Sequence, residues 1–171
     1  MEGTCLVISP LIALMEDQVN QLLKKGIKAA YINSSLHFKD IDRILDNAIY
    51  GNIKILYLSP ERLKTTLFID RFKKMNVSFV AVDEAHCISE WGNDFRPEYR
   101  NISSLRTFNK GLSFIALTAT ATPEVVEDIE EQLSFKESNK IKKSFKRNNI
   151  HYSVINAIDK EKVLVKLLTN E

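Results

Sequence analysis

Apolar residues in this chain follow two alternating rhythms. Short runs, apolar almost throughout, occur at Cys5-Leu6-Val7-Ile8, at residues 29–32, at 53–58, at Phe79-Val80-Ala81-Val82 and at 114–117. A run without polar alternation is what a strand buried on both faces of a parallel sheet requires. Between these runs the spacing lengthens to three and four. Leu11, Leu14, Met15, Gln18, Val19, Leu22 and Leu23 follow one helical face, which Gly26 ends. Ile41, Ile44, Leu45, Ala48 and Ile49 mark a second face, and a third helix is expected from about Glu61, after Ser59-Pro60. Thr122 as N-cap and Pro123 in the first turn open a helix carrying Val125, Val126, Ile129 and Leu133. Strands alternating with helices mean βαβ units, hence an α/β fold around a parallel sheet. A final stripe of Val163, Leu164, Leu167 and Leu168 has too little chain after it to be buried in a domain of its own.

Small hydroxyls and carboxylates gather where the strands stop. Ser9-Pro10, Ser59-Pro60, Asp83-Glu84 and Thr118-Ala119-Thr120 each follow an apolar run. In a parallel sheet these sites share the carboxyl edge, where open α/β sheets bind their ligands. Taken singly, a Ser-Pro pair is ordinary turn chemistry, and Asp-Glu after a strand also fits a solvated acidic turn. Their convergence is what points to a site. Adjacent acids suit phosphoryl transfer, Asp83 helping to hold Mg²⁺ and Glu84 orienting or deprotonating a water. Further on, Trp91, Phe95 and Tyr99 recur every four residues, which fits a core stripe. Gly92, Asn93, Asp94 and Pro97 between them break a helix, and loop aromatics beside Arg96 suit stacking on unpaired bases.

Composition narrows the classes. The chain has 171 residues and a net charge of +2, too little to mark a nucleic-acid binder by bulk charge. No apolar run approaches the ~20 residues of a membrane span, and the first residues resemble no signal peptide. Cys5 and Cys87 have neither metal-ligand spacing nor the look of a disulfide framework, so a reduced, cytoplasmic setting fits. Lys136, Lys140, Lys142, Lys143, Lys146 and Arg147 form a basic run of the kind usually found on a solvated face.

These residues together carry a resemblance. Val7-Ile8-Ser9-Pro10-Leu11-Ile12-Ala13-Leu14-Met15-Glu16-Asp17-Gln18-Val19 is similar to motif Ia of RecQ-type DNA helicases of superfamily 2, and Leu58-Ser59-Pro60-Glu61-Arg62-Leu63 to motif Ib. Asp83-Glu84-Ala85-His86 resembles their motif II and Ala116-Leu117-Thr118-Ala119-Thr120-Ala121 their motif III. The stretch from Cys87 to Tyr99 resembles the aromatic-rich loop that sets RecQ apart. The resemblance implies a RecA-like parallel sheet flanked by helices, a P-loop NTPase fold lacking its phosphate-loop strand and helix. It implies ATP and Mg²⁺ as cofactors, with Asp83 (the Mg²⁺ ligand), Glu84, Thr118 and Thr120 at the nucleotide and Glu84, Asp83 and His86 catalytic. Ser9, Gln18, Ser59, Arg62, Trp91, Phe95 and Arg96 would contact DNA. Residues 1–147 would form a partial first motor domain and 148–171 a linker and the start of the second. The parent would couple ATP hydrolysis to 3′-to-5′ movement on single-stranded DNA and to unwinding of duplex junctions in recombination and repair. It would work in the bacterial cytoplasm at the nucleoid, with no membrane partner.

Two departures matter. No G-x-x-x-x-G-K-[ST] occurs, so the backbone cradle and lysine for the phosphates are missing, the chain looks cut at both ends, and this stretch alone is expected to be inactive. Asn93 stands where the family usually has His, and it cannot take a positive charge. Two other readings stay open, a superfamily 2 RNA helicase fragment and a non-enzymatic DNA- or partner-binding module.

Overall fold

Five parallel strands are ordered β2-β3-β1-β4-β5: β1 (Thr4–Ile8), β2 (Ala29–Ile32), β3 (Ile55–Leu58), β4 (Val77–Val82) and β5 (Phe114–Ala116). The computed structural model describes residues 2–92, 94–137, 139–143 and 147–169. It divides into two compact units, Met1–Ser138 and Asn139–Glu171. Among the described residues, the sheet and all helices but one lie in the first. The second contains α6 (Lys160–Thr169), whose Leu164, Leu167 and Leu168 are exposed.

Alternation along the strands splits the first unit's core in two. Leu6, Ile8, Leu56, Leu58, Val80 and Val82 point to one face and are covered by α2 (Phe38–Ile49), α3 (Thr66–Phe72) and α5 (Pro123–Gln132). The same cluster takes in Tyr99 and Ile102 from a 3-10 helix over Pro97–Ser104, and Leu105 from the short α4 (Leu105–Phe108). On the other face Met15 and Val19 of α1 (Ile12–Lys24) pack on Ala29 and Tyr57, with Val7, Tyr31 and Ile55 at the margin. This face is less fully covered. Ile115 and Leu117 are each half exposed beside the outer edge of β5, which has no strand partner among the described residues.

Polar contacts fix the helices. Arg71 on α3 bridges Asp42 at 2.6 Å and Asp46 at 2.9 Å on α2. The Arg106 guanidinium donates to the Leu133 carbonyl at the end of α5 and to the Leu112 carbonyl ahead of β5, so it ties that helix to the sheet. Thr122 caps α5 as its sequence predicts, accepting from the Val125 amide.

Three elements differ from the sequence expectation. The run 53–58 gives a strand only from Ile55; Ile53 is buried ahead of it, its carbonyl taken by the Thr4 hydroxyl at 2.7 Å. The helix expected from Glu61 is instead a 3-10 turn over Pro60–Lys64 followed by α3. Thr65 makes the break: its hydroxyl donates to the Arg62 carbonyl behind it and accepts from the Phe68 amide ahead. The irregular aromatic stretch ends in ordered 3-10 and α turns over 97–108, because Pro97 can open such a turn although it would interrupt a longer helix.

Leu6 sits on the central strand with no exposed surface, so Leu6→Ala should cost about 2–5 kcal/mol, read as a shift of the urea midpoint. Leu23→Ala, at a position 51% exposed, should stay within about 0.5 kcal/mol. Burial pushes the Cys5 thiol up to about 11, and burial followed by the nearby Asp94 does the same for Cys87. Both groups hold their proton more tightly folded than unfolded. Their stabilising contribution is therefore complete below about pH 9 and is lost as pH rises towards 11. Denaturation midpoints should fall across that interval, and Ellman's reagent at pH 8 should label the folded chain at least about tenfold more slowly than the urea-unfolded one.

Candidate functional site

From β1 the chain crosses towards β2 and β3, and from β4 it crosses the other way to β5, so the crevice at their carboxyl ends is a topological switch point. The ladder runs one residue past each strand there. The Asp83 amide donates to the Ile8 carbonyl at 2.9 Å, the Ser9 amide to Leu58 at 3.0 Å and the Leu117 amide to Val82 at 2.9 Å. Ser9, Ser59, Asp83 and the Leu117–Thr118 segment are thereby set along one edge.

The two acids are held differently. Asp83 Oδ2 accepts from the fully buried Ser9 hydroxyl at 3.1 Å, while Oδ1 accepts from the Glu84 amide at 3.0 Å. Glu84 takes a left-handed backbone, φ 47° and ψ 45°, uncommon for a residue with a side chain. This turns its carboxylate back to His86, whose Nδ1 lies 3.2 Å from Glu84 Oε2 and 3.1 Å from Thr118 Oγ1. A carboxylate only accepts, so the bond to Glu84 needs a proton on His86 Nδ1. The Ala85 amide meanwhile donates to the Leu117 carbonyl at 2.9 Å. The acid turn and the Thr118 segment are thus bonded through main chain and side chain alike.

Five of the sequence-predicted residues, Ser9, Asp83, Glu84, His86 and Thr118, meet here. Thr120 is exposed, two residues on, its amide donating to Thr118 Oγ1 at 3.3 Å. Ser59 is buried at the end of β3. Arg62 donates to the Asn33 carbonyl at 2.7 Å, and Gln18 is half buried on α1. In the loop Trp91 is 78% exposed, whereas Phe95 is half buried under the Arg100 guanidinium, 5.0 Å from its ring centre. Arg96 is forked onto Asp94 at 3.0 and 3.2 Å and reaches the Pro10 carbonyl at 3.5 Å, linking the loop to the end of β1. The Asn93 substitution lies outside the described residues, as does Lys146 of the basic run.

Sequence reasoning missed three participants. Asn33 ends β2 on the same edge and accepts from the Ser35 amide and hydroxyl; an Asx turn after an apolar run was its signal. Asp94 neutralises Arg96, and Glu90 holds Arg100 at 2.9 Å. Beside Trp91 an open groove is lined by Glu124, Glu127, Asp128 and Glu131 of α5, away from Asp83.

Comparison with known proteins gives the family. Residues 1–129 match the family model described as DEAD/DEAH box helicase. The chain is 45% identical over 170 residues to the ATP-dependent DNA helicase RecQ of Bacillus subtilis (strain 168), covering 99% of this chain and 29% of that protein. It is 46% identical over 154 residues to the RecQ of Pasteurella multocida (strain Pm70), covering 90% and 24%. The chain therefore spans less than a third of the length of these curated relatives. Among solved structures, the Hef helicase domain of Pyrococcus furiosus superimposes with a TM-score of 0.58 at 17% identity, over 79% of this chain and 28% of that one. The Mycobacterium smegmatis helicase Lhr bound to ssDNA and AMP-PNP gives 0.57 at 19% identity, over 80% and 19%. At such identities these two share the fold. The match over residues 1–129, on a parallel sheet whose central edge carries Asp83-Glu84-Ala85-His86, shows that this chain belongs to the DEAD/DEAH box helicase family.

Proposed function

We propose that this chain is most of the first motor domain of an ATP-dependent DNA helicase of the RecQ type, with residues 1–147 in that domain and 148–171 leading into the second. The observation that carries the reading is the switch-point pair: Asp83 backed by the Ser9 hydroxyl, and Glu84 backed by His86 and Thr118. The 45% identity to a protein named ATP-dependent DNA helicase RecQ supports ATP and DNA as the substrate class.

One carboxylate beside one hydroxyl is a small oxygen donor set. That fits Mg²⁺, which is commonly held by one or two carboxylates together with waters and nucleotide phosphates. Bound there, Mg²⁺ supplies charge neutralisation at the phosphates. Glu84, aimed by its left-handed backbone and His86, accepts the proton of the attacking water. Thr118 links that carboxylate's partner to β5, so a shift in one strand end is felt at the other. The uncovered edge of β5, with Ile115 and Leu117 half exposed, suits a further strand and helix bearing the phosphate loop. Trp91 offers its ring to unpaired bases, while Ser59, Gln18 and Arg62 lie on elements that reach the same edge. The working partners are single-stranded DNA, duplex junctions and the second motor domain, in a bacterial cytoplasm at the nucleoid.

In the complete protein Glu84→Gln keeps size and hydrogen-bonding capacity but removes the base. Steady-state hydrolysis should drop about 10²–10⁴-fold while fluorescent-nucleotide affinity stays near wild type. Turnover within a few-fold of wild type would remove Glu84 from this role. Trp91→Ala should weaken single-stranded DNA binding by about 1–3 kcal/mol in fluorescence anisotropy. Because the ring is 78% exposed, the melting temperature should not move; a large drop would identify a packing residue instead.

A further inference from the structure

Both ends of the aromatic loop rest on the turn that carries the two acids. At its start, a β-carbon on Gly92 would lie 2.4 Å from the His86 carbonyl oxygen, so only glycine lets the backbone come this close. At its far end Tyr99, among the largest fully buried side chains, donates its hydroxyl to the Asp83 carbonyl at 3.0 Å.

That carbonyl sits at a gap in the sheet. The Asp83 amide donates to the Ile8 carbonyl, so its own carbonyl faces β1 as well; the next ladder position there is Pro10, which has no N–H to give, and the oxygen is left to Tyr99. The peptide concerned joins Asp83 to Glu84, the residue in the left-handed conformation. Such a conformation persists for a non-glycine residue only where its surroundings over-determine it.

We propose that Tyr99 is a positioning residue whose hydroxyl holds the Asp83–Glu84 peptide in its left-handed turn, aims the Glu84 carboxylate and ties it to the loop bearing Trp91. Tyr99 touches no reacting atom. What the aimed carboxylate does rests on the helicase reading above; that the hydroxyl holds the turn does not.

Tyr99→Phe in the complete protein deletes the hydroxyl and leaves the ring in its packing. Amide exchange at residues 84–86 should quicken about tenfold or more, with exchange elsewhere in β4 and β5 unchanged. In the same protein kcat for ATP hydrolysis should fall about 10- to 100-fold at an unchanged KM. Unchanged local exchange overturns the proposal. So does a general quickening across the domain with a lower melting temperature and kcat and KM worsening together, which is the signature of a core residue. An unchanged kcat with quickened local exchange overturns the aiming of Glu84. If wild type hydrolyses no ATP yet the local quickening appears, the tether stands and the helicase reading falls.

Discussion

Ile8 lies opposite Val82 in a parallel ladder, and the bond from the Asp83 amide to the Ile8 carbonyl extends that ladder past the end of both strands. This register brings Ser9 and Asp83, 74 residues apart in sequence, to 3.1 Å. Side chains alternate between faces, so a slip of one residue would turn Asp83 to the opposite side of the sheet and strip Val80 and Val82 from the core with it. The geometry of the acids is therefore protected by the burial of the strands behind them. Each fully buried Leu, Ile or Val contributes about 1.5–3 kcal/mol, and β1 and β4 supply four such residues to one cluster. The hydroxyl–carboxylate contact itself need contribute little to stability; its position is inherited.

Much of this was legible in the chain. Buried parallel strands announce themselves by uninterrupted apolar runs, and Asp83-Glu84 and Thr118 could be placed at strand ends before any geometry was known. What stayed hidden shares a physical cause. The Tyr99 bond is made to a main-chain carbonyl, a group every residue possesses, so no letter in the sequence marks its partner. The left-handed conformation of Glu84 is equally silent, since the residues that usually report it are glycine and asparagine. Thr65 broke an expected helix because a short hydroxyl can cap as readily as it can sit within one.

In sequence the loop sets its aromatics beside Arg96, but it also carries Glu90, Asp94 and Glu98, and its arginines are engaged. Arg96 is engaged by Asp94, and Arg100 by Glu90 and the Phe95 ring. Trp91 is left as its prominent exposed group, with the acidic face of α5 alongside. A surface of this kind offers a ring face for stacking and few unengaged cations.

The left-handed backbone at Glu84 sets two demands on one position that no amino acid meets together. Conformation asks for glycine, which occupies this region freely; chemistry asks for a carboxylate on a side chain long enough to reach His86. A strained turn of this sort costs about 1–3 kcal/mol. Any procedure that ranks sequences by folding stability, whether a thermal screen or an automated redesign, would tend to trade Glu84 away and report an improvement. In the role proposed for Glu84 above, the residue is kept by selection on turnover and not by selection for a well-settled chain.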